Sequence, residues 1–277
     1  MEVARSIAAF QALRPKLARP LGFVPTMGYL HEGHLSLVRQ ARLENLSVVV
    51  SIFVNPTQFG PGEDFKQYPR NIERDLDLLL KERVDAVFIP PEKDMYPRGF
   101  DTCVQVDKLT KWLEGKSRPG HFKGVTTVVA KLFNIVEPDL AYFGQKDGQQ
   151  AAVIKKMVAD LNMNLKVVVL PTIREDDGLA MSSRNSYLSP EERRTATVLY
   201  KALCGAEELW HKGEKDAEKL RRQMTELISR EPLAGIDYVS IADAETLEEQ
   251  DTIKPPAMVS LAVKIGGIRL IDNIVLK

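Results

Sequence analysis

The chain is poor in cysteine, has no charge of one sign in excess and has no long apolar run, and each lack narrows its class. Cys103 and Cys204 are its only cysteines and lie about a hundred residues apart. That spacing excludes a disulfide framework or a thiolate metal site and suits a reduced, cytoplasmic chain. Lysine plus arginine and aspartate plus glutamate each number 38, with no long block of either sign. The basic stripe of a protein that lives on nucleic-acid backbones is therefore missing. No stretch approaches the ~20 apolar residues of a membrane span, and no internal repeat or low-complexity segment is present. What is there is 277 residues, enough to bury a sizeable core in one large domain or two ordinary ones.

The N-terminus has two readings. Arg5, Ser6, Arg14, Lys16 and Arg19, with only Glu2 acidic, match a transit peptide in composition. Val3, Ile7, Phe10 and Leu13 to Leu17 also form an amphipathic helix running into the first strand. The segment is read as part of the fold, and the lack of a targeting segment then suits a bacterial cytosol.

Leu46 to Val54 is nearly all apolar and β-branched, the mark of a strand buried on both faces of a parallel sheet. Shorter runs of the same kind occur at Leu21 to Val24, Ala86 to Ile89, Leu140 to Phe143 and Leu165 to Leu170. Helical patterns lie between them at Leu35 to Leu43, Ile72 to Arg83, Val125 to Val136 and Gln149 to Leu161. Strand and helix alternate, so residues 1–172 are expected to form a doubly wound, Rossmann-like α/β domain with a parallel sheet. Beyond about Ile173 the pattern changes. Ser189-Pro190-Glu191-Glu192 is a capping box with proline at the first helical position, opening a helix to about Trp210. A second helix covers Ala217 to Ser229, and Val259 to Ile271, turning at Gly266-Gly267, reads as a hairpin. Residues 173–277 are thus expected to form a smaller α+β domain, joined through the polar, glycine-ended stretch Arg174 to Gly178.

Pro25-Thr26-Met27-Gly28-Tyr29-Leu30-His31-Glu32-Gly33-His34 follows the first strand and opens a helix, where α/β sheets bind phosphates. Amides at a helix start carry partial positive charge, so a triphosphate there meets a fixed field plus two imidazole donors. Glycines 28 and 33 are expected to let backbone approach the anion. Two histidines at i and i+3 also share a helix face in ordinary exposed helix ends, and the zinc-protease pattern needs i and i+4. Four further polar segments decide between these readings. Asn55 to Gly60 follows the most buried strand, Arg118 to Phe122 precedes a helix, Gly144 to Asp147 follows the Leu140 strand, and Met181 to Asn185 lies past the hinge. Each alone has a turn or cap explanation; their joint placement after strands of one sheet does not.

These motifs, in this order and spacing over about the first 190 residues, resemble the pantothenate synthetases, ATP-dependent ligases of the nucleotidyl-transferring superfamily that includes class I aminoacyl-tRNA synthetases. The resemblance implies two steps: pantoate carboxylate attacks the ATP α-phosphate and releases pyrophosphate, and the β-alanine amine then displaces AMP from pantoyl adenylate. It assigns phosphate contacts to His31, His34, Lys146, Ser182, Ser183 and Arg184. Adenine, ribose and neighbouring groups fall to Pro25, Thr26, Met27, Gly144, Asp147, Thr172, Ile173 and Met181. Pantoate falls to Gln58, Gln150, Asn55 and Met27, β-alanine to Arg118 and His121 with Tyr68 as a lid residue, and Mg²⁺ brought by ATP to Asp75. A homodimer is implied as well, and rotation of the smaller domain would shield the adenylate from water. The chain departs from the family pattern at Gln145, where many relatives carry Glu, and at Gly148, which costs about 1 kcal/mol against alanine early in a helix.

Three rivals are weaker. A phosphopantetheine or nicotinate mononucleotide adenylyltransferase needs cations for its phosphate acceptor, whereas Gln58 and Gln150 are neutral. A silent RNA-binding relative conflicts with the even charge balance, and a metal-dependent hydrolase built on His31 and His34 lacks further well-spaced ligands.

Overall fold

The computed structural model describes residues 1–277 as two compact units, each interleaved in sequence. The first comprises Met1–Asp107, Arg118–Gly144 and Val153–Leu170; the second comprises Lys108–Ser117, Gln145–Ala152 and Pro171–Lys277.

The first unit is built on six strands, β1 (Glu2–Ala4), β2 (Leu21–Thr26), β3 (Ser47–Ile52), β4 (Ala86–Phe88), β5 (Leu140–Gly144) and β6 (Lys166–Leu170). They are all parallel, in the order β1-β4-β3-β2-β5-β6. In chain order the helices up to β6 are α1 (Ile7–Leu13), α2 (Glu32–Glu44), α3 (Ile72–Lys81), α4 (Glu92–Met95), α5 (Leu113–Ser117), α6 (His121–Val136) and α7 (Gly148–Asp160), of which α5 and the first residues of α7 belong to the second unit. Successive strand side chains leave on opposite faces, and both faces are covered here. Val24, Val48, Val50, Val87 and Tyr142 pack with Leu37, Val38 and Ala41 of α2 and Leu79 of α3. Phe23 and Phe143 meet Phe133 of α6 at ring-centroid distances of 6.3 and 6.4 Å, and Phe88 meets Phe10 of α1 at 5.0 Å. This double cover is why β3 is fully buried and apolar except at Ser47 and Ser51. Strand order reverses between β2 and β5, so the crevice at their carboxyl ends is the switch point where such sheets take ligands.

The second unit carries an antiparallel sheet of β7 (Ala234–Asp243), β8 (Ala257–Ile265) and β9 (Ile268–Leu276), with α8 (Pro190–Thr195), α9 (Val198–His211) and α10 (Ala217–Ile228). Leu199, Leu203 and Ala206 of α9 and Leu220, Met224 and Ile228 of α10 bury the Val259, Leu261, Val263 and Ile265 face of β8.

Three elements differ from the sequence reading. Val3 lies in the edge strand β1, paired with β4, and α1 begins only after Ser6, whose hydroxyl accepts the Ala9 N–H at 3.1 Å. The basic N-terminal residues are tied into the unit: Arg14 donates to the Ile135 carbonyl at 3.2 Å and pairs with Glu137 at 2.7 Å. The helix expected from Pro190 to Trp210 is broken between α8 and α9, where the Thr197 hydroxyl donates to the Arg194 carbonyl at 2.8 Å and competes with the helical ladder. β7 was not expected, because a bulge between Ile236 and Tyr238 interrupts its alternation.

The second unit begins at Pro171, but it also takes two earlier segments. Glu114 forms a bidentate pair with Arg269 at 2.7 and 2.8 Å, accepts the Tyr238 hydroxyl at 2.9 Å, and donates its N–H to Gln149 at 2.9 Å. Side-chain ties of this kind leave no trace in periodicity.

Candidate active site

The Pro25 to His34 segment leaves the end of β2 and enters α2 under close control. Thr26 donates its hydroxyl to the Ser51 carbonyl at 2.7 Å and accepts the Gly28 N–H at 3.1 Å. Asp75, 1 % exposed, accepts the Tyr29 and Leu30 N–H groups at 2.7 and 2.8 Å. Burial pushes the Asp75 pKa up, while those amides and Arg74 favour its charged form. Gly28 has φ +82°, and a Cβ there would lie 2.8 Å from Ile52 Cγ2. Glycine is therefore required by the turn and by packing. The Gly28, Tyr29 and Leu30 amides are satisfied within the protein, which replaces the expected backbone cradle by a rigid turn that presents side chains.

Those side chains are the two histidines. His31 is the N-cap of α2 and His34 its third residue. His31 Nδ1 accepts the Gly33 N–H at 3.2 Å, and His34 Nδ1 accepts the His31 N–H at 3.3 Å. A ring nitrogen that accepts carries no proton, so these bonds leave Nε2 as the donor of each ring. The rings lie 4.1 Å apart at the α2 N-terminus, where the helix dipole favours an anion.

A second group hangs on the turn after β3, a 3-10 turn over Pro56–Gln58. Asn55, 1 % exposed, caps it. Its Oδ1 accepts from the Thr57 hydroxyl at 3.0 Å and the Tyr96 hydroxyl at 2.7 Å, and its Nδ2 donates to the Gly124 carbonyl at 3.2 Å and to Gln58 Oε1 at 3.1 Å. With both amide hydrogens engaged inside the protein, Asn55 orients Gln58. Gln58 Nε2 in turn meets Met27 Sδ at 3.1 Å, so the structure brings together two of the expected pantoate residues. The turn lies directly on α6, because a Cβ at Gly124 would fall 2.3 Å from the Thr57 carbonyl oxygen.

Arg118 and His121 brace the same turn. The Arg118 guanidinium takes both Glu63 oxygens at 2.8 and 2.7 Å and donates to His121 Nε2 at 3.2 Å, and His121 Nδ1 donates to the Gln58 carbonyl at 2.8 Å. Burial raises the Glu63 pKa, but Arg118 outweighs it and holds the carboxyl below its usual range. Arg118 and His121, expected to steer β-alanine, thus also hold residues 58 to 63. Tyr68, the expected lid residue, is buried with its ring 6.0 Å from Phe59.

The remaining candidates lie in the second unit, apart from Gly144, which ends β5. Lys146 and Asp147 occupy a 3-10 turn over Gln145–Asp147, with Lys146 Nζ 3.2 Å from Asp147 Oδ1. Gln150 is half-buried on the first turn of α7. Thr172 and Ile173 follow β6, and the Ile173 carbonyl accepts the Met181 N–H at 3.0 Å. Ser182 caps the 3-10 turn Ser183–Tyr187, its hydroxyl accepting the Arg184 N–H at 3.3 Å. Thr172 Oγ1 is buried with no hydrogen-bond partner in the protein. At Gly148 a Cβ would lie 2.9 Å from Asn273, Gln145 and Met258 atoms, so the departure from the family pattern noted there is matched by packing.

The donor set does not fit a resident Mg²⁺. No group of three or more His, Cys, Asp or Glu side chains could hold a metal, and both Asp75 oxygens are engaged by amides. Sequence reasoning missed Glu63, Tyr96, Gly124, Asp272 and Asn273. Only Gly124 left a signal, as a glycine inside an otherwise helical pattern.

A parallel doubly wound sheet whose switch point carries two Nε2–H imidazoles at a helix start defines an α/β protein built for a phosphorylated ligand. The chain belongs to the pantoate–β-alanine ligase family, whose model matches residues 2–275. It is 58 % identical over 280 residues to a pantothenate synthetase of Acetivibrio thermocellus, covering 100 % of both chains. It is 59 % identical over 258 residues to one of Thermotoga petrophila, covering 93 % of this chain and 92 % of the relative. A pantothenate synthetase structure from Thermus thermophilus superposes with a TM-score of 0.96 at 49 % identity, covering 99 % of each chain. A pantoate–β-alanine ligase from Francisella tularensis, complexed with β-γ ATP and β-alanine, gives 0.82 at 38 % identity, covering 99 % of this chain and 97 % of that one.

Proposed function

We propose that this ligase condenses pantoate with β-alanine, driven by ATP cleavage, to give pantothenate, AMP and pyrophosphate. A carboxylate is inert toward amines until one oxygen becomes a good leaving group. Attack of the pantoate carboxylate on the α-phosphate forms the mixed anhydride and expels pyrophosphate. The β-alanine amine then attacks the acyl carbon, losing a proton, and AMP departs with the former carboxylate oxygen.

The observation that carries this reading is the His31–His34 pair. Both Nδ1 atoms close the helix end, so both Nε2–H groups act as donors that need no reorganisation as charge builds on the phosphate. The reading gives the first unit these donors and the Met27–Gln58 surface for pantoate. It gives the second unit Lys146, Ser182, Ser183 and Arg184 for the phosphates and Gln150 for pantoate. Gly144, Asp147, Thr172, Ile173 and Met181 serve adenine and ribose, a part supported at Thr172 by its buried, unpartnered hydroxyl. Pro25 and Thr26 act through the shape of the β2 turn. Mg²⁺ belongs to the substrate as Mg–ATP and neutralises its phosphates. The reading extends to a cytoplasmic homodimer; no helix is long and apolar enough to cross a membrane.

The test is exchange of labelled pyrophosphate into ATP. Exchange is expected only with pantoate present, AMP release only after β-alanine is added, and His34→Ala or Lys146→Ala is expected to slow exchange by about 10²- to 10³-fold. Exchange that ignores pantoate but follows a phosphorylated acceptor would overturn the reading.

A further inference from the structure

Neighbouring residues of β9 hold both expected phosphate-binding segments of the second unit. Asn273, 5 % exposed, donates from Nδ2 to the Gln145 and Lys146 carbonyls, both at 2.9 Å, and accepts Gln145 Nε2 at 2.8 Å. Two of these bonds fix the backbone on both sides of the Lys146 Cα, and the third holds the Gln145 side chain. Asp272 beside it, 2 % exposed, takes the Arg174 guanidinium at 2.6 and 3.1 Å and its neighbour's N–H at 2.8 Å. Arg174 donates on to the Gly178 carbonyl at 3.1 Å and lies 3.9 Å over the Tyr200 ring. The loop so held pairs Arg174 with Ala180 and leads directly into Met181 to Arg184.

These are conspicuous arrangements for a strand of a small sheet. A buried asparagine that bonds two consecutive carbonyls is costly to place and does nothing for the apolar core. Its geometric effect is to set where the Lys146 side chain starts. A lysine reaches a phosphate as a point charge on a flexible stem, so its placement depends on how firmly its backbone is held. Gly148 belongs to the same arrangement, because any Cβ there would collide with the Asn273–Gln145 bond.

We propose that Asn273 is a positioning residue for the Lys146 ammonium, acting through the Gln145 and Lys146 carbonyls, with Asp272 holding the Met181 to Arg184 segment in the same way through Arg174. The proposal rests on the phosphate role given above to Lys146. It goes beyond that role in naming a residue that touches no substrate.

A double-mutant cycle on pantoate-dependent pyrophosphate exchange tests it, with kcat and the pantoate KM measured for wild type, Asn273→Ala, Lys146→Ala and the double variant. Asn273→Ala is expected to lower kcat by roughly 10- to 10²-fold, the scale of a small misplacement at a reacting centre. The pantoate KM stays at its wild-type value, and in the Lys146→Ala background the same substitution changes kcat by less than about twofold. Asn273→Ser, which retains one donor for a carbonyl, recovers part of the rate, and it takes the place of the alanine variant if that one does not fold. Two results overturn the proposal: a wild-type kcat in the Asn273 variants, or a loss that multiplies in full with Lys146→Ala, as a general structural defect would. A Lys146→Ala enzyme with wild-type exchange instead refutes the lysine's phosphate role, and the positioning role falls with it.

Discussion

The orientation of the two imidazoles at the start of α2 is a consequence of backbone chemistry. An N-terminal turn has amides without helical partners, and His31 and His34 satisfy two of them through Nδ1. The same bonds dictate which nitrogen holds the proton, so structural and chemical duties share one ring. At Gly124 a single missing Cβ decides where Gln58 sits. Alanine there gains about 1 kcal/mol of helix propensity, but a methyl 2.3 Å from a backbone oxygen must push the Pro56–Gln58 turn off α6. Gly124→Ala is expected to destabilise the fold by about 1 to 3 kcal/mol and to raise the pantoate KM while leaving the ATP KM near wild type. Denaturant titration and steady-state kinetics check both halves. The histidines were legible as residues because their spacing follows a strand and opens a helix. Their tautomer was not, since it depends on which amide each ring accepts from. Asn55, Arg118 and His121 were legible as polar residues near the site, but their inward bonds to Gly124, Glu63 and Gln58 join partners up to 69 residues apart.

Among the elements, the turn after β3 is held by charge as well as packing. Glu63 sits against Arg118, and that pairing lowers its folded pKa. A carboxylate with a depressed folded pKa adds stability that is present above its unfolded pKa, about 4.3 for Glu. That stability fades as pH falls through the folded value. Wild type is therefore expected to be more stable than Glu63→Gln near neutral pH, with the gap closing as pH falls below about 4. Urea midpoints of both proteins across that range give the answer, and a gap that persists or grows in acid contradicts it. Elements with strong local signals were legible: the Ser189 capping box is present, with Ser189 and Glu192 bonding reciprocally, and the β8–β9 hairpin turns where Gly266-Gly267 predicts. β1 and β7 were not. Three residues carry no period, and a bulge destroys the period of ten.

For the molecule as a whole, the parallel arrangement of β2 to β6 follows from the alternation of apolar runs and helical patterns. The grouping of segments into units does not follow from it. Glu114 and Gln149 join the second unit through polar bonds to residues that include Arg269 and Tyr238, and no change in composition marks either segment. Such ties, like those of Asp272 and Asn273, place β9 at the root of the proposed phosphate chemistry although it lies at the far end of the chain. The central claim is that pantoate becomes an acyl adenylate, and the fate of one oxygen tests it most directly. With pantoate labelled in its carboxylate by oxygen-18, complete turnover should place one labelled oxygen in the phosphate of AMP. Label found in pyrophosphate, or an AMP that takes its new oxygen from water, would contradict it.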